Sequence, residues 1–182
     1  MTRTASVLIA GLLLTAGPAV AQAPPAAPAP AAIPCAGPEF RQFDFWVGRW
    51  DVYATGSDTL VAHSLIERLY GGCAIRENWM PLTGTGGGSL SNYVAAEGGW
   101  RQTWLDSSGA RVEFTGGLTG AAMVITGSWP GAMTPGQDAL VRMTYTAAAD
   151  GSVRQFGEAS TDGGKTWATT FDFTYRPATA AP

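Results

Sequence analysis

The chain reads as an all-β protein, a single up-and-down antiparallel barrel of about ten strands. Three observations predict it. From Trp46 onward no segment sustains a 3.6-residue apolar period; apolar positions alternate or run in short blocks. Turn signals recur about every 8–12 residues, among them Gly71-Gly72, Gly84 to Gly88, Glu97-Gly98-Gly99, Asp106 to Gly109, Pro130-Gly131, Asp150-Gly151 and Gly163-Gly164. Trp50 near the start and Arg176 near the end form a candidate cation–π pair that would join the first strand to the last. So many strands in an open sheet would leave exposed edges, which closure removes. A two-sheet sandwich is the alternative.

The N-terminal residues precede that domain. Arg3, the apolar run Val7 to Leu14 and the small-x-small triplet Ala19-Val20-Ala21 read as a secretory signal peptide over 1–21. An uncleaved anchor is the alternative, but the apolar run is shorter than the about 20 residues that span a bilayer. Residues 22–34 are Pro/Ala-rich and almost uncharged, and read as a disordered, extended linker. The barrel domain is expected over 35–176, with a flexible tail at 177–182. Export implies a periplasmic or secreted protein, with no integral membrane segment after signal cleavage. Loss of Arg3 with the leader moves the formal charge from −3 to −4. Lys165 is the only lysine and there is no basic run, so nucleic acid and anionic membrane are poor partners.

Cys35 and Cys73 are the two cysteines. In an oxidising compartment such a pair is more readily a disulfide than a metal site; two separate buried thiols are the alternative. Pro38 to Phe43 reads as a short helical turn. Pro38 suits the first helical position, and Phe40 and Phe43 share a face. Such a turn could plug the barrel end, with Cys35 pinning the linker beside it. Strands are expected near 45–54, 59–69, 73–80, 89–96, 100–106, 111–118, 121–129, 139–148, 152–161 and 166–176.

Several strands mix aromatic and polar groups on one face. Trp100, Gln102, Trp104 and Asp106 share a face, as do Glu77 and Trp79, and as do Arg154, Phe156, Glu158 and Ser160. Simple sandwiches divide into apolar-in and polar-out, whereas a ligand-holding barrel lines its interior with aromatics and a few polar groups. The candidate ligand-binding residues are therefore Glu77, Trp79, Gln102, Trp104, Arg142, Arg154 and Glu158. Among the strand carboxylates Glu77, Asp106, Glu158 and Asp172, one or two are expected to face the cavity and pair with Arg76, Arg142 or Arg154. A buried carboxylate with a raised pKa could act as a general acid or base. No residue is singled out as catalytic. His63 is the only histidine, no Gly-x-Ser-x-Gly elbow occurs, and a zinc site needs more ligands than the chain supplies. No metal and no cofactor is expected.

Ser160-Thr161-Asp162-Gly163-Gly164-Lys165-Thr166-Trp167 fits the Asp-box pattern S-x-D-x-G-x-T-W. It encodes a hairpin in which Asp162 accepts from turn N–H groups, Gly164 takes positive φ and Trp167 packs beneath. A single copy argues against a propeller. Gly164-Lys165-Thr166 also mimics the end of a phosphate loop, but position 159 is alanine and no helix follows.

Gly48-Arg49-Trp50 resembles the Gly-x-Trp of the first strand in lipocalin-like (calycin-type) barrels. That resemblance implies a last-strand cation on the indole face, a place Arg176 could fill just before Pro177. A longer set resembles a family of exported bacterial proteins of uncharacterised activity with a lipocalin-like barrel. It comprises Phe43 to Val52 (FDFWVGRWDV), Gly71-Gly72-Cys73, Glu77-x-Trp79, Trp100-x-Gln102-x-Trp104-x-Asp106, Val153-Arg154-Gln155 and Asp162 to Trp167 (DGGKTW). The resemblance spans residues 35–176; it implies fold and export and brings no activity.

The expected function is an exported barrel holding a small, mainly apolar ligand, motivated by seven tryptophans among few charges. One alternative is a metal-free isomerase or cyclase using a cavity carboxylate. Another is a structural envelope or partner-binding protein with a side-chain-filled barrel. An internal cavity separates the first two from the third. A carboxylate at its floor without a cation favours the enzyme.

Overall fold

The computed structural model describes residues 34–178. The expected leader, almost all of the linker and the last tail residues lie outside the described residues. The strands in chain order are β1 (Gly48–Ala54), β2 (Leu60–Leu69), β3 (Ala74–Pro81), β4 (Gly87–Val94), β5 (Gly99–Asp106), β6 (Arg111–Thr119), β7 (Ala122–Thr134), β8 (Gln137–Ala147), β9 (Val153–Ser160) and β10 (Ala168–Pro177). Each pairs antiparallel with its sequence neighbours, and β10 pairs with β1, so the sheet closes into an up-and-down barrel. Closure rules out the open sandwich and leaves no free edge. Among the described residues, no helix is long and apolar enough to cross a membrane.

The period of two in the sequence sets the two faces of the wall. In β6, Val112 and Phe114 are buried while Arg111 and Glu113 are exposed. The outward groups pair across the surface: Thr103 donates to Glu113 at 2.8 Å, and Arg111 donates to the same carboxylate at 2.6 Å.

Most strand boundaries fall within two residues of the sequence expectation, and two depart further. The first strand begins at Gly48, because Asp44–Trp46 forms a 3₁₀ turn directly after the one at Pro38–Arg41. These turns drive Phe43 and Trp46 into the end of the barrel, stacked with ring centroids 4.9 Å apart and almost wholly buried. The expected turn at Pro130-Gly131 is instead a register shift inside a longer hairpin, whose ladder continues to Thr134 and Gln137.

The plug is fastened from outside. Cys35 and Cys73 are disulfide-bonded, with Cα atoms 5.1 Å apart. Arg41 Nη2 donates to the carbonyls of Cys35 at 2.7 Å and Gly72 at 2.9 Å. Asp44 pairs with Arg68 of β2. The N-terminal segment is thereby tied to the β2–β3 connection.

Trp50 and Arg176 do not form the expected pair. Their strands meet, but the register sets Arg176 opposite Asp51 and Trp50 opposite Pro177. Residues opposite one another in an antiparallel ladder share a face, and the Asp51 face is the outer one. Arg176 accordingly lies over the Tyr53 ring at 4.2 Å and donates to Asp58 at 3.0 Å. Trp50 points inward, donating from Nε1 to the Trp46 carbonyl at 2.9 Å and meeting Tyr175 edge-on at 6.2 Å. Gly48 makes room for it: a Cβ there would lie 3.1 Å from the indole. The ladder and these inner aromatics close the barrel, without a surface cation.

Candidate ligand-binding cavity

Above the plug lies an interior cavity of about 250 Å³. Its floor is made by Tyr145 and Tyr175, whose rings rest on Trp46 with centroids 4.9 and 6.2 Å away. Trp79, Trp104, Trp129, Phe171 and Phe173 form aromatic walls, and Phe114 and Met143 complete the apolar lining. The sequence on β10 explains part of this wall. Phe171, Phe173 and Tyr175 alternate with Asp172, Thr174 and Arg176, so the middle of the strand's inner face is aromatic.

Polar atoms enter at a few points. Glu77 on β3 is buried; its Oε2 accepts from Ser89 at 3.1 Å and its Oε1 from Ser64 at 3.5 Å. Tyr175 donates to Gln155 Oε1 at 2.6 Å, and Gln155 Nε2 donates to the Tyr145 hydroxyl at 2.9 Å. Gln102 Nε2 donates to Ser91 at 3.0 Å. Burial pushes the Glu77 carboxyl up from 4.5 to about 7, against hydrogen bonds from Ser89 and Ser64 that favour its charged form. Burial, and then the charge of Glu77, raise both Tyr145 and Tyr175 well above the usual tyrosine range. Among the described residues, no lysine, arginine or histidine lines the cavity, so Glu77 is its one charged group.

Four of the seven candidate ligand-binding residues converge here: Glu77, Trp79, Gln102 and Trp104. The other three do not. Arg142, Arg154 and Glu158 lie on the outer face of β8 and β9, between inward-facing Val141, Met143, Gln155 and Ala159. Arg142 pairs with Glu158 at 2.9 Å and lies 4.0 Å over the Trp167 ring; Arg154 grips Asp172 with two bonds at 2.8 and 2.6 Å. The expected pairing of cavity carboxylates with arginines therefore occurs only outside the barrel. Arg76 pairs there too, with Glu67.

Asp106 stands at the far end of the β5 face, where it accepts from Trp104 Nε1 at 3.2 Å and from the Ser108 and Ala110 amides at 2.9 and 3.2 Å. It shapes the β5–β6 turn and lines a second hollow of about 480 Å³, which shares Trp129 and Phe171 with the first. His63 bonds Asp51 at 2.8 Å outside. The Asp-box hairpin has the geometry its pattern encodes. Asp162 accepts from the Lys165 and Thr166 amides, both at 2.9 Å, Gly164 has φ of 88°, and Trp167 Nε1 donates to the Gly164 carbonyl at 3.0 Å.

The residues missed from sequence are Tyr145, Gln155 and Tyr175 toward the floor and Phe114, Trp129, Met143, Phe171 and Phe173 on the wall. A signal existed for β10, whose strict aromatic alternation marks an inner face. Searches of the chain against protein-family models and against curated proteins find no match.

Proposed function

We propose that this protein is an exported barrel that binds a small, mainly apolar molecule in its interior. One observation carries the reading: an aromatic-walled cavity above a sealed floor, with a few polar groups aimed into it. Such concave, largely apolar sites with sparse polar contacts are the usual form of small-molecule pockets. At about 250 Å³ the cavity lies just below the about 300–1,000 Å³ of pockets for drug-sized ligands. The occupant is then a single ring system with a short substituent. A side-chain-filled structural barrel would not leave this space. The Cys35–Cys73 disulfide, the leader-like N-terminus and the resemblance to exported bacterial barrels support a periplasmic or secreted location.

Native mass spectrometry of protein purified from the exported fraction tests the reading. A small-molecule adduct that unfolding releases is the expected result. The bare protein mass in every preparation, together with no saturable tryptophan quenching by single-ring aromatic probes, would overturn it.

A second reading is favoured by one specific feature. Glu77 has no cationic partner among the described residues and has an acidity near neutrality, the state of a general acid or base. If it moves a proton on an isomerisable ligand, incubation in heavy water should place deuterium in the co-purified molecule. The wild type should do this and Glu77→Gln should not.

A further inference from the structure

The barrel sorts its charges with a consistent sense. Arginines sit on the outer face, where Arg76, Arg142 and Arg154 neutralise Glu67, Glu158 and Asp172. The interior keeps a carboxylate and excludes its counter-ion. Two serine hydroxyls hold Glu77 in place but carry no charge. Around it the lining is aromatic: Trp79 packs with Phe173 and Tyr175, with centroids 5.7 and 6.4 Å away. Aromatic faces carry negative quadrupole potential and attract cations.

From this arrangement we infer that the cavity ligand is a small organic cation, an aryl or alkyl amine whose ammonium group pairs with Glu77 while its apolar part lies between the aromatic walls. The inference rests on the reading that the cavity binds a small molecule, and names that molecule's chemical class. An anion would meet the ionised Glu77 with repulsion and would find no cation in the lining. A wholly apolar ligand would cover a carboxyl that has already lost most of its water, and would return nothing to it. An ammonium supplies both the missing charge and donors for the Glu77 oxygens. Binding is then an exchange: the empty site keeps a proton on Glu77 near neutral pH, and the ammonium takes that proton's place.

The exchange has a pH signature. Glu77 faces Ser64 from β2, Ser89 from β4, and the Tyr145 and Tyr175 ends of β8 and β10. Gln102 from β5 and Gln155 from β9 complete the polar set and do not titrate. Both tyrosines stay protonated through pH 5–8, since burial holds them well above the usual tyrosine range. Asp106, farther out, stays ionised, its turn hydrogen bonds outweighing the effect of burial. Among these groups Glu77 alone changes charge in this window.

The test is a titration of the mature, disulfide-bonded protein with 2-phenylethylamine and with 2-phenylethanol, followed by calorimetry. The two probes match in size; one is a cation and the other a neutral donor. At pH 8 the amine should bind at least about tenfold more tightly, a loss expected when a site's buried charge is left unpaired. From pH 8 to pH 6 the amine should weaken by about tenfold as Glu77 takes up its proton, and the alcohol should not change. Glu77→Gln, verified as folded by its melting curve, should abolish the preference for the amine. Equal binding of the two probes at pH 8, or amine binding that is flat with pH, overturns the inference without need of the variant. So does a preference that survives in folded Glu77→Gln. Binding of the alcohol alone overturns the amine assignment and leaves the cavity reading standing. Binding of neither probe overturns both.

Discussion

At Glu77 two effects oppose one another. Burial strips the carboxylate of water, and the Ser64 and Ser89 hydroxyls restore only part of that solvation. Burial wins, so the native state holds this proton more tightly than the unfolded chain does. Stability from this group is complete below about pH 4.5 and is lost as pH rises to about 7. The shift corresponds to about 3 kcal/mol. Glu77→Gln should therefore raise stability at pH 8 by about that amount and by little at pH 4.5. Urea unfolding at the two pH values checks this, and an equal gain at both would show that burial of charge is not the cause. The turn carboxylates act in the opposite direction. Hydrogen bonds from Thr166 and Ser160 hold Asp162 well below the usual carboxylate range, so its contribution is lost as pH falls below about 4. A second contrast concerns the two ends of the chain. Arg176 is an exposed partner of Tyr53 and Asp58, so Arg176→Ala should cost about 0–1 kcal/mol. Trp50 is a buried ring, and Trp50→Ala should cost about 3–5 kcal/mol. Thermal melts of the two variants side by side check this, and a large loss for Arg176→Ala would show that a cation on Trp50 closes the barrel.

The strands differ in how plainly they declare their faces. On β5, Trp100, Gln102, Trp104 and Asp106 stand two apart, and polar Arg101 and Thr103 separate them, so the inner face could be read directly. On β9 the same rule misleads. Its outer face carries Phe156, while its inner face carries Gln155 and Gly157. Gly157 is inward because the Phe171 ring of the neighbouring strand fills the space beside it. Apolar alternation within one strand cannot report a volume supplied by another, and Arg154 and Glu158 were assigned inward for that reason. The same packing gives a prediction. Gly157→Ala would force its methyl group into the Phe171 ring and push that ring toward the cavity. It should destabilise by about 1–3 kcal/mol and weaken cavity ligands at the same time. Full stability with full binding would show that the contact is loose.

For the molecule as a whole, turn spacing made the barrel legible, because ten short strands with short connections have few other ways to remove their edges. The plug was legible in part: Pro38 and the spaced phenylalanines marked a turn, but the second turn at Asp44–Trp46 was hidden inside a strand-like aromatic run. The disulfide fastens this plug across a separation of 38 residues. Replacing both cysteines by serine should cost about 4 kcal/mol on the chain-entropy account, measured by urea unfolding, and should loosen the floor beneath Tyr145 and Tyr175. The cavity itself was inferred from mixed faces, and its floor was not, since no single strand's pattern shows that Tyr145, Gln155 and Tyr175 meet over the Trp46 plug. The claim that joins these scales is that the closed barrel keeps an open interior for a small molecule. A diffraction structure of the protein crystallised with 2-phenylethanol tests it most directly. The expected result is the probe's ring inside the barrel between Trp79, Trp104 and Phe173. A barrel filled by its own Trp104 and Trp129 side chains, with the probe absent or bound only outside, would contradict it.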